Sequence, residues 1–198
     1  MEIFDISREF FSTPPYGGDP APRMRRLQEI EENAEYTLSV YSASAHAATH
    51  ADAPLHYILG GADAEELPLS PFVGGCTVLS CSGELTGAEA EELLSGVKER
   101  RILLKGFGNA FLSQSAAFAF VSEGIRLVGT DAPSIGRGNQ ENRAHRELLG
   151  TGIPILENLD LDEIEPGNYF LVAAPIKMAG IEGAPVRALL LRGISVYE

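Results

Sequence analysis

Several residue types are scarce in this chain of 198 residues, and each scarcity narrows the class of protein it can be. Lys and Arg number 15 against 28 Asp and Glu, which gives a formal net charge of −13 at pH 7. That charge argues against a nucleic-acid partner, which requires a basic face, and against attraction to anionic lipid. No segment approaches the roughly 20 apolar residues of a membrane-spanning helix, and the N-terminal residues lack the pattern of a signal peptide. We therefore expect a cytoplasmic protein without a nucleic-acid or membrane partner.

Cysteine is also scarce: only Cys76 and Cys81 are present, five positions apart in an apolar stretch that predicts a strand. The odd offset places the two side chains on opposite faces of a strand, which argues against a disulfide between them. The pair also lacks the spacing typical of paired zinc ligands. Two buried, reduced thiols are predicted, as in a reducing compartment.

The chain is long enough for one domain with a substantial core, and its composition, 44% hydrophobic and 22% charged, is ordinary for a globular protein. In the second half, predicted helices alternate with apolar strands. This alternation predicts one α/β domain over residues 1–198, with a mixed β-sheet and flanking helices. The expected strands are 3–6, 36–41, 76–81, 101–105, 126–130, 153–156, 168–173 and 186–191, and the expected helices are 86–97, 111–124 and 141–149.

Two N-terminal segments are less clearly patterned. Residues 23–33 are charged, and we expect them to be partly helical. Residues 7–22 form a loop rich in Pro and Gly that carries Phe10, Phe11 and Tyr16. These aromatic side chains either cover a pocket or a partner subunit, or pack against the core, and the sequence favours neither alternative.

Histidine is rare as well, yet three of the four histidines fall within residues 46–56, which read His-Ala-Ala-Thr-His-Ala-Asp-Ala-Pro-Leu-His. His46 and His50 are four residues apart, so one helical turn or a tight loop can direct both imidazoles to one point, and Asp52 follows. Pro54 directs the preceding residue away from helix, so the chain should leave extended. Imidazole and carboxylate are the ligands of zinc and similar divalent ions. The stretch predicts a metal site, although three ordinary histidines clustered by chance remain the alternative.

The fourth histidine, His145, lies in a predicted helix, and Glu157 ends an apolar run twelve residues later. A buried glutamate is costly unless it is paired or bound to a metal ion. Each residue taken alone is more typical of a structural role, but together with 46–56 they could supply ligands for a second ion.

With these residues in view, the sequence resembles the cyclase-like metal-dependent hydrolases, whose signature is His-x-Gly-Thr-His-x-Asp-x-Pro-x-His. Within that family it is most similar to the bacterial kynurenine formamidases (arylformamidases). The resemblance extends over nearly the whole chain and implies a swivelling β/β/α fold of the cyclase type. The matching segments are 4–7, 18–20, 51–57, 129–134, 155–159 and 185–188.

The resemblance implies a site with two divalent metal ions, most often Zn²⁺, although Mn²⁺ suits the same ligands. It assigns His46, His50 and Asp52 to one ion. It assigns His145 and Glu157 to the second, with Asp52 bridging the two. His56 would be the general acid/base for hydrolysis by a metal-activated water.

It also implies a substrate and an assembly. The expected substrate is N-formyl-L-kynurenine, cleaved to L-kynurenine and formate in tryptophan catabolism, by an enzyme that is a homodimer. The alternatives are hydrolysis or cyclisation of a cyclic amide or lactone, and a non-catalytic protein that binds metal or ligand. In the dimer, the aromatic N-terminal loop could reach the site of the partner subunit.

The sequence departs from the family pattern at several points. Ala48 replaces a glycine of the signature, and Gly17-Gly18-Asp19 replaces Pro-Gly-Asp. Gly136 stands where an aspartate often follows Pro-Ser-Ile. The chain has no tryptophan, which formamidases carry just before the N-terminal motif, and Tyr16 stands nearby. We expect Tyr16 to contact the substrate, and the changes around it place the identity of that substrate in question.

Overall fold

The computed structural model of the protein describes residues 1–30 and 34–193, and within these ranges thirteen strands and three α-helices form. The strands are β1 (Glu2–Asp5), β2 (Arg23–Gln28), β3 (Leu38–Ser42), β4 (His50–Asp52), β5 (Val73–Ser80), β6 (Gly83–Leu85), β7 (Arg101–Lys105), β8 (Ala110–Leu112), β9 (Leu127–Thr130), β10 (Ile155–Glu157), β11 (Gly167–Val172), β12 (Gly183–Pro185) and β13 (Leu189–Arg192). The helices are α1 (Gly87–Leu94), α2 (Gln114–Ser122) and α3 (Glu141–Leu149).

Nine of these strands form one large mixed sheet in the order β1-β13-β11-β5-β7-β9-β10-β4-β12. The central strands β5, β7, β9 and β10 are parallel, and the remaining pairings in this sheet are antiparallel. Two smaller sheets pair β2 with β3 and β6 with β8. The predicted single α/β domain with a mixed sheet is thus confirmed.

Hydrophobic side chains pack on both faces of the large sheet. On β7, Ile102 and Leu104 belong to the core beneath the helices, whereas Leu103 belongs to the core enclosed by the curled sheet. Side chains alternate between the faces of a strand, so a strand covered on both faces reads as a continuous apolar run. This burial explains why β7 was predicted with its observed bounds.

A capping box begins α1. Thr86 accepts a hydrogen bond from the backbone of Glu89, whose side chain accepts one from the backbone of Thr86. Cys76 and Cys81 are both free, and burial raises the pKa of each thiol to about 12. In the ranges that the structure describes, no helix combines the length and the apolar character required to cross a bilayer.

Two predictions of secondary structure were wrong. Arg23–Gln28 is strand β2 instead of partial helix, because it pairs with β3 as a hairpin; residues 31–33 of that prediction lie outside the described ranges. The helix expected over 111–124 begins only at Gln114, because Ala110–Leu112 pairs with β6 as strand β8 and Ser113 caps the helix by accepting from the Ala116 backbone.

Candidate metal centre and active site

The centre of the site is β4, which lies between β10 and β12 in the large sheet. His50 and Asp52 are two residues apart, so both side chains lie on the same face of the strand. The antiparallel register places Glu157 of β10 opposite His50. All three side chains are buried, with exposures of 1% for His50, 0% for Asp52 and 4% for Glu157. Of the two alternatives for residues 46–50, the tight loop is the one observed: a turn leads into β4, and Ala53 is extended before Pro54 as expected.

Two more histidines approach these carboxylates from other elements. His46 lies in the turn before β4, with its Nδ1 3.0 Å from Oδ1 of Asp52. His145 on α3 places its Nε2 3.1 Å from Oε1 of Glu157 and 3.5 Å from Oδ2 of Asp52. The structure thus brings all five of the predicted metal-ligating residues together in one cluster.

Backbone carbonyls orient two of the three rings. Nδ1 of His50 donates to the carbonyl of Ala48 at 2.9 Å, and Nδ1 of His145 donates to the carbonyl of Glu141 at 2.8 Å. A carbonyl oxygen can only accept, so the hydrogen on each Nδ1 is fixed and Nε2 faces the carboxylates. Glu157 is itself held by the backbone N–H of Ile135, which donates to Oε1 at 2.7 Å.

The electrostatics of the cluster favour positive charge. Burial disfavours the charged form of His50, but Asp52 and Glu157 outweigh that effect and raise the pKa of His50 to about 10. The same two carboxylates raise the pKa of His145 well above its ordinary value, again against burial. Burial opposes the charge of Asp52, yet hydrogen bonds from the surrounding histidines hold its pKa well below the ordinary value. Positive charge among the histidines, whether from protons or from metal ions, would therefore compensate the two carboxylates.

These residues fit divalent metal ions. Ligand atoms bound at 2.0–2.1 Å to a tetrahedral zinc ion lie about 3.3–3.4 Å apart, and Nε2 of His50 lies 3.4 Å from Oδ1 of Asp52 and 3.4 Å from Oε2 of Glu157. Among the described residues, Nε2 of His46, Nε2 of His50 and Oδ2 of Asp52 are buried atoms without a hydrogen-bond partner. Buried polar atoms normally have partners, so an ion between His50 and Asp52 would satisfy the last two of these atoms.

Possible ligand atoms fall into two sets that share Asp52. One set joins His46, Asp52 and His56, and the other joins His50, Asp52 and Glu157. Asp52 is also the residue that the family resemblance places between two ions, but the structure groups His50 with Glu157 instead of with His46, so the division of ligands between the ions stays a prediction. The grouping also places His56, the predicted acid/base, within reach of the first set, so its role remains a prediction to be tested by metal content.

His56 follows β4 in a short 3-10 turn, Pro54–His56, and forms part of a cavity wall. Its ring centroid lies 4.2 Å from that of His46 and 5.7 Å from that of His145. Burial lowers the pKa of His56 from its ordinary value. A lowered pKa keeps this imidazole neutral near pH 7 and able to accept a proton.

The cavity above the cluster has a volume of about 270 Å³ and contains Tyr16 at its wall. The Tyr16 hydroxyl donates to Oε2 of Glu141 at 2.9 Å, which connects the N-terminal loop to α3. Burial and the Glu141 carboxylate raise the pKa of Tyr16 to about 12. Phe10 of the same loop packs edge-on against Phe11 and Tyr41 instead, outside the lining of this cavity.

Several residues around the cavity were not identified as site residues from the sequence. Tyr57 stacks on His145 with ring centroids 4.5 Å apart, and its position directly after His56 was the one available signal. Asp19 accepts from the Ser44 hydroxyl at 2.8 Å. Glu141 and Ser134 line the cavity from a helix start and a turn, and their side chains show no spacing that predicts a site.

Taken together, an α/β fold with a large mixed sheet and a buried cluster of histidines and carboxylates beneath a cavity defines the class of a candidate metalloenzyme. The chain belongs to the cyclase family, because the family model described as "Putative cyclase" matches residues 4–137.

Solved structures agree with this assignment. A potential metal-dependent hydrolase with cyclase activity is 31% identical over 96% of both chains, with a TM-score of 0.76. A predicted metal-dependent hydrolase from Bacillus stearothermophilus is 30% identical over 96% of this chain and 97% of that one, also with a TM-score of 0.76. Isatin hydrolase A from Labrenzia aggregata, at 24% identity and a TM-score of 0.81 over 96% and 93% of the two chains, shares the fold.

The turn that presents the cluster contains a strained residue. Ala48 has a φ of 52°, in the left-handed region that disfavours a side chain by about 1–2 kcal/mol. Glycine at this position would relieve the strain. It would also lose more conformational freedom on folding than alanine does, which costs about 0.5–1 kcal/mol. We therefore expect Ala48→Gly to change the free energy of unfolding little. Ala47 is equally buried but has no strain to relieve, so Ala47→Gly should destabilise the protein by about 1 kcal/mol more than Ala48→Gly does. Urea unfolding of both variants checks this, and equal losses would contradict it.

Proposed function

We propose that this protein is a metal-dependent hydrolase of a small amide, with N-formyl-L-kynurenine as the leading substrate. The observation that carries the proposal is the buried cluster of His46, His50, Asp52, His145 and Glu157 beneath a cavity whose wall contains His56. The two solved relatives at 31% and 30% identity are described as a potential and a predicted metal-dependent hydrolase, which supports the reaction class. Formylkynurenine is favoured by the motifs that resemble the formamidases and by the aromatic rings of Tyr16 and Tyr57 beside the cluster.

The cluster residues would hold two divalent ions, most suitably Zn²⁺ or Mn²⁺. Such ions, when bound, lower the pKa of a bound water and polarise a carbonyl. Tyr57 restrains His145 by stacking, and the carbonyls of Ala48 and Glu141 hold His50 and His145 in the orientation that binding requires.

Water adds to the formyl carbon during hydrolysis, the carbon–nitrogen bond breaks, and a proton must reach the departing arylamine. His56 is suited to this transfer, because its lowered pKa leaves it neutral and able to take a proton from water and deliver it to nitrogen. Tyr16 and Tyr57 would contact the ring of the substrate.

A second candidate reaction is hydrolysis of a cyclic amide or lactone at the same centre. The observation that favours it is the N-terminal loop, where Tyr16 is hydrogen-bonded to Glu141 and no tryptophan is present. A substrate panel of formanilides, cyclic amides and lactones separates the two reactions. Full metal occupancy without turnover of any of them would instead support a binding protein.

Metal removal gives the first test. Dialysis against a chelator should abolish hydrolysis of N-formylkynurenine, and added Zn²⁺ or Mn²⁺ should restore it. Absorbance of the released arylamine measures turnover, and elemental analysis measures bound metal. Full activity in protein free of metal would contradict the proposed reaction class.

Substitution of His56 gives the second test. His56→Ala should lower kcat by about 10²–10⁴-fold, the usual contribution of general acid–base catalysis, while bound metal stays near the wild-type level. His50→Ala is the matched control and should lose metal as well as activity. If His56→Ala loses metal to the same extent, His56 is a ligand and its assigned role is wrong.

We also infer that the protein is a homodimer joined through the hairpin of β2 and β3. In the described ranges these two strands pair only with each other, and every residue in them is exposed. β2 carries three arginines on a chain whose net charge is −13, so the hairpin complements the acidic surface of a second copy. Large apolar side chains exposed on the hairpin are Met24, Leu27, Leu38, Val40 and Tyr41.

A double substitution tests this assembly. Leu38→Glu with Val40→Glu should convert a dimer to a folded monomer, because both side chains are already exposed in the single chain. Light scattering after gel filtration measures the mass, and Phe118→Glu on the exposed surface of α2 is the control that should leave the dimer intact. A wild-type monomer, or a dimer that both variants retain, would refute the inference.

A further inference from the structure

The ring of His46 is turned differently from the rings of His50 and His145. In those two residues Nδ1 donates to a backbone carbonyl, and Nε2 faces the carboxylates. In His46 the order is reversed, because Nδ1 is the atom 3.0 Å from Oδ1 of Asp52. A ring nitrogen that binds an ion must carry no hydrogen, so the hydrogen of a neutral His46 would have to reside on Nε2.

That outer nitrogen requires an acceptor. Nε2 of His46 is buried and has no hydrogen-bond partner among the described residues, but Oε1 of Glu182 lies 3.5 Å away. This separation exceeds an ordinary N–H···O distance of about 2.7–3.2 Å by only a few tenths of an ångström. The side chain of Glu182 is 41% exposed, so it is free to rotate and close the gap.

The backbone around Glu182 is fixed against the site. Its carbonyl accepts from the backbone N–H of Ala53 at 2.9 Å, and Gly183 stands opposite Asp52 in the pairing of β12 with β4. A Cβ at Gly183 would lie 3.1 Å from Cε1 of His46 and 3.1 Å from the carbonyl oxygen of Ala51. The backbone at Gly183 therefore lies close to the ring of His46, because glycine has no side chain there. This places the preceding residue, Glu182, beside Nε2 of His46.

We propose that Glu182 is a positioning residue of the metal centre, which accepts the Nε2 hydrogen of His46 and so presents Nδ1 to an ion shared with Asp52. The inference rests on the metal centre proposed above. Metal-ligating histidines generally donate their other N–H to a carboxylate or a carbonyl, which sets the tautomer and raises the basicity of the ligating nitrogen. Ala48 and Glu141 supply carbonyls to two of the rings, and Glu182 supplies the acceptor for the third.

Zinc titration tests the assignment with a readout that is independent of turnover. Glu182→Ala should weaken zinc binding by about 10–100-fold, the usual effect of losing such a partner. Glu182→Gln removes the charge but keeps an acceptor oxygen, so it should recover most of the affinity. Glu84→Ala, which removes an exposed carboxylate from β6, is the control for net charge and should bind zinc like the wild type. Equal affinity of Glu182→Ala and wild type would overturn the proposal.

Nitrogen-15 NMR of the zinc-loaded protein tests the tautomer directly. A hydrogen on Nε2 of His46, slow to exchange in the wild type and fast in Glu182→Ala, is the expected result. A hydrogen on Nδ1 would mean that His46 binds through Nε2, and Glu182 could not have the assigned role. The titration also separates the two proposals, since a wild type that binds no zinc refutes the metal centre itself, whereas normal binding by Glu182→Ala refutes only the role of Glu182.

Discussion

The burial of Asp52 and Glu157 is the constraint on which the rest of the site depends. A carboxylate removed from water is strongly destabilised unless cations or hydrogen-bond donors surround it. Here two such groups lie on neighbouring strands, β4 and β10, with exposures of 0% and 4%. Histidines from three different segments face them, and protons on these histidines would balance the charge. Divalent ions would replace those protons, so charge compensation and ligand geometry favour the same occupant.

The framework that holds the cluster is made largely of backbone atoms. Carbonyls of Ala48 and Glu141 orient two histidines, and the N–H of Ile135 orients Glu157. Backbone donors and acceptors within packed elements move little, so the ligand atoms are held near their binding positions before an ion arrives. The cost appears as local strain, since Ala48 adopts a left-handed φ of 52° to direct its carbonyl at His50.

Residues 46–56 predicted a metal site because its ligands are close together in sequence, where spacing alone is informative. His145 and Glu157 were assigned only through the family resemblance, since they reach the cluster from α3 and β10 through tertiary packing that no local pattern records. Strands β4 and β12 have three residues each, too few for a periodicity to be recognised. Glu182 had no signal at all, because its position follows from the pairing of β12 with β4.

Strand β2 of the β2–β3 hairpin could not be predicted from the sequence for a different reason. Arg23–Gln28 is charged and has no buried face. Its sequence therefore lacks the apolar periodicity that a strand or a helix shows when it packs against a core. Such a strand is stabilised by pairing with another strand and by contact with a surface that covers it. Neither the paired strand nor the covering surface is part of the local sequence.

Glu141 connects the chemistry of the cluster to the recognition of substrate. Its backbone carbonyl orients His145, while its carboxylate accepts from the hydroxyl of Tyr16 on the N-terminal loop. The loop is therefore joined by a hydrogen bond to the first turn of α3, which carries the acceptor for a ligand ring. Because one residue serves both contacts, changes in the loop that suit a different substrate must still leave this turn in place. The departures from the family pattern at residues 17–19 lie beside Tyr16, and those at Ala48 and Gly136 lie elsewhere, yet all of them leave the five predicted ligand positions unchanged.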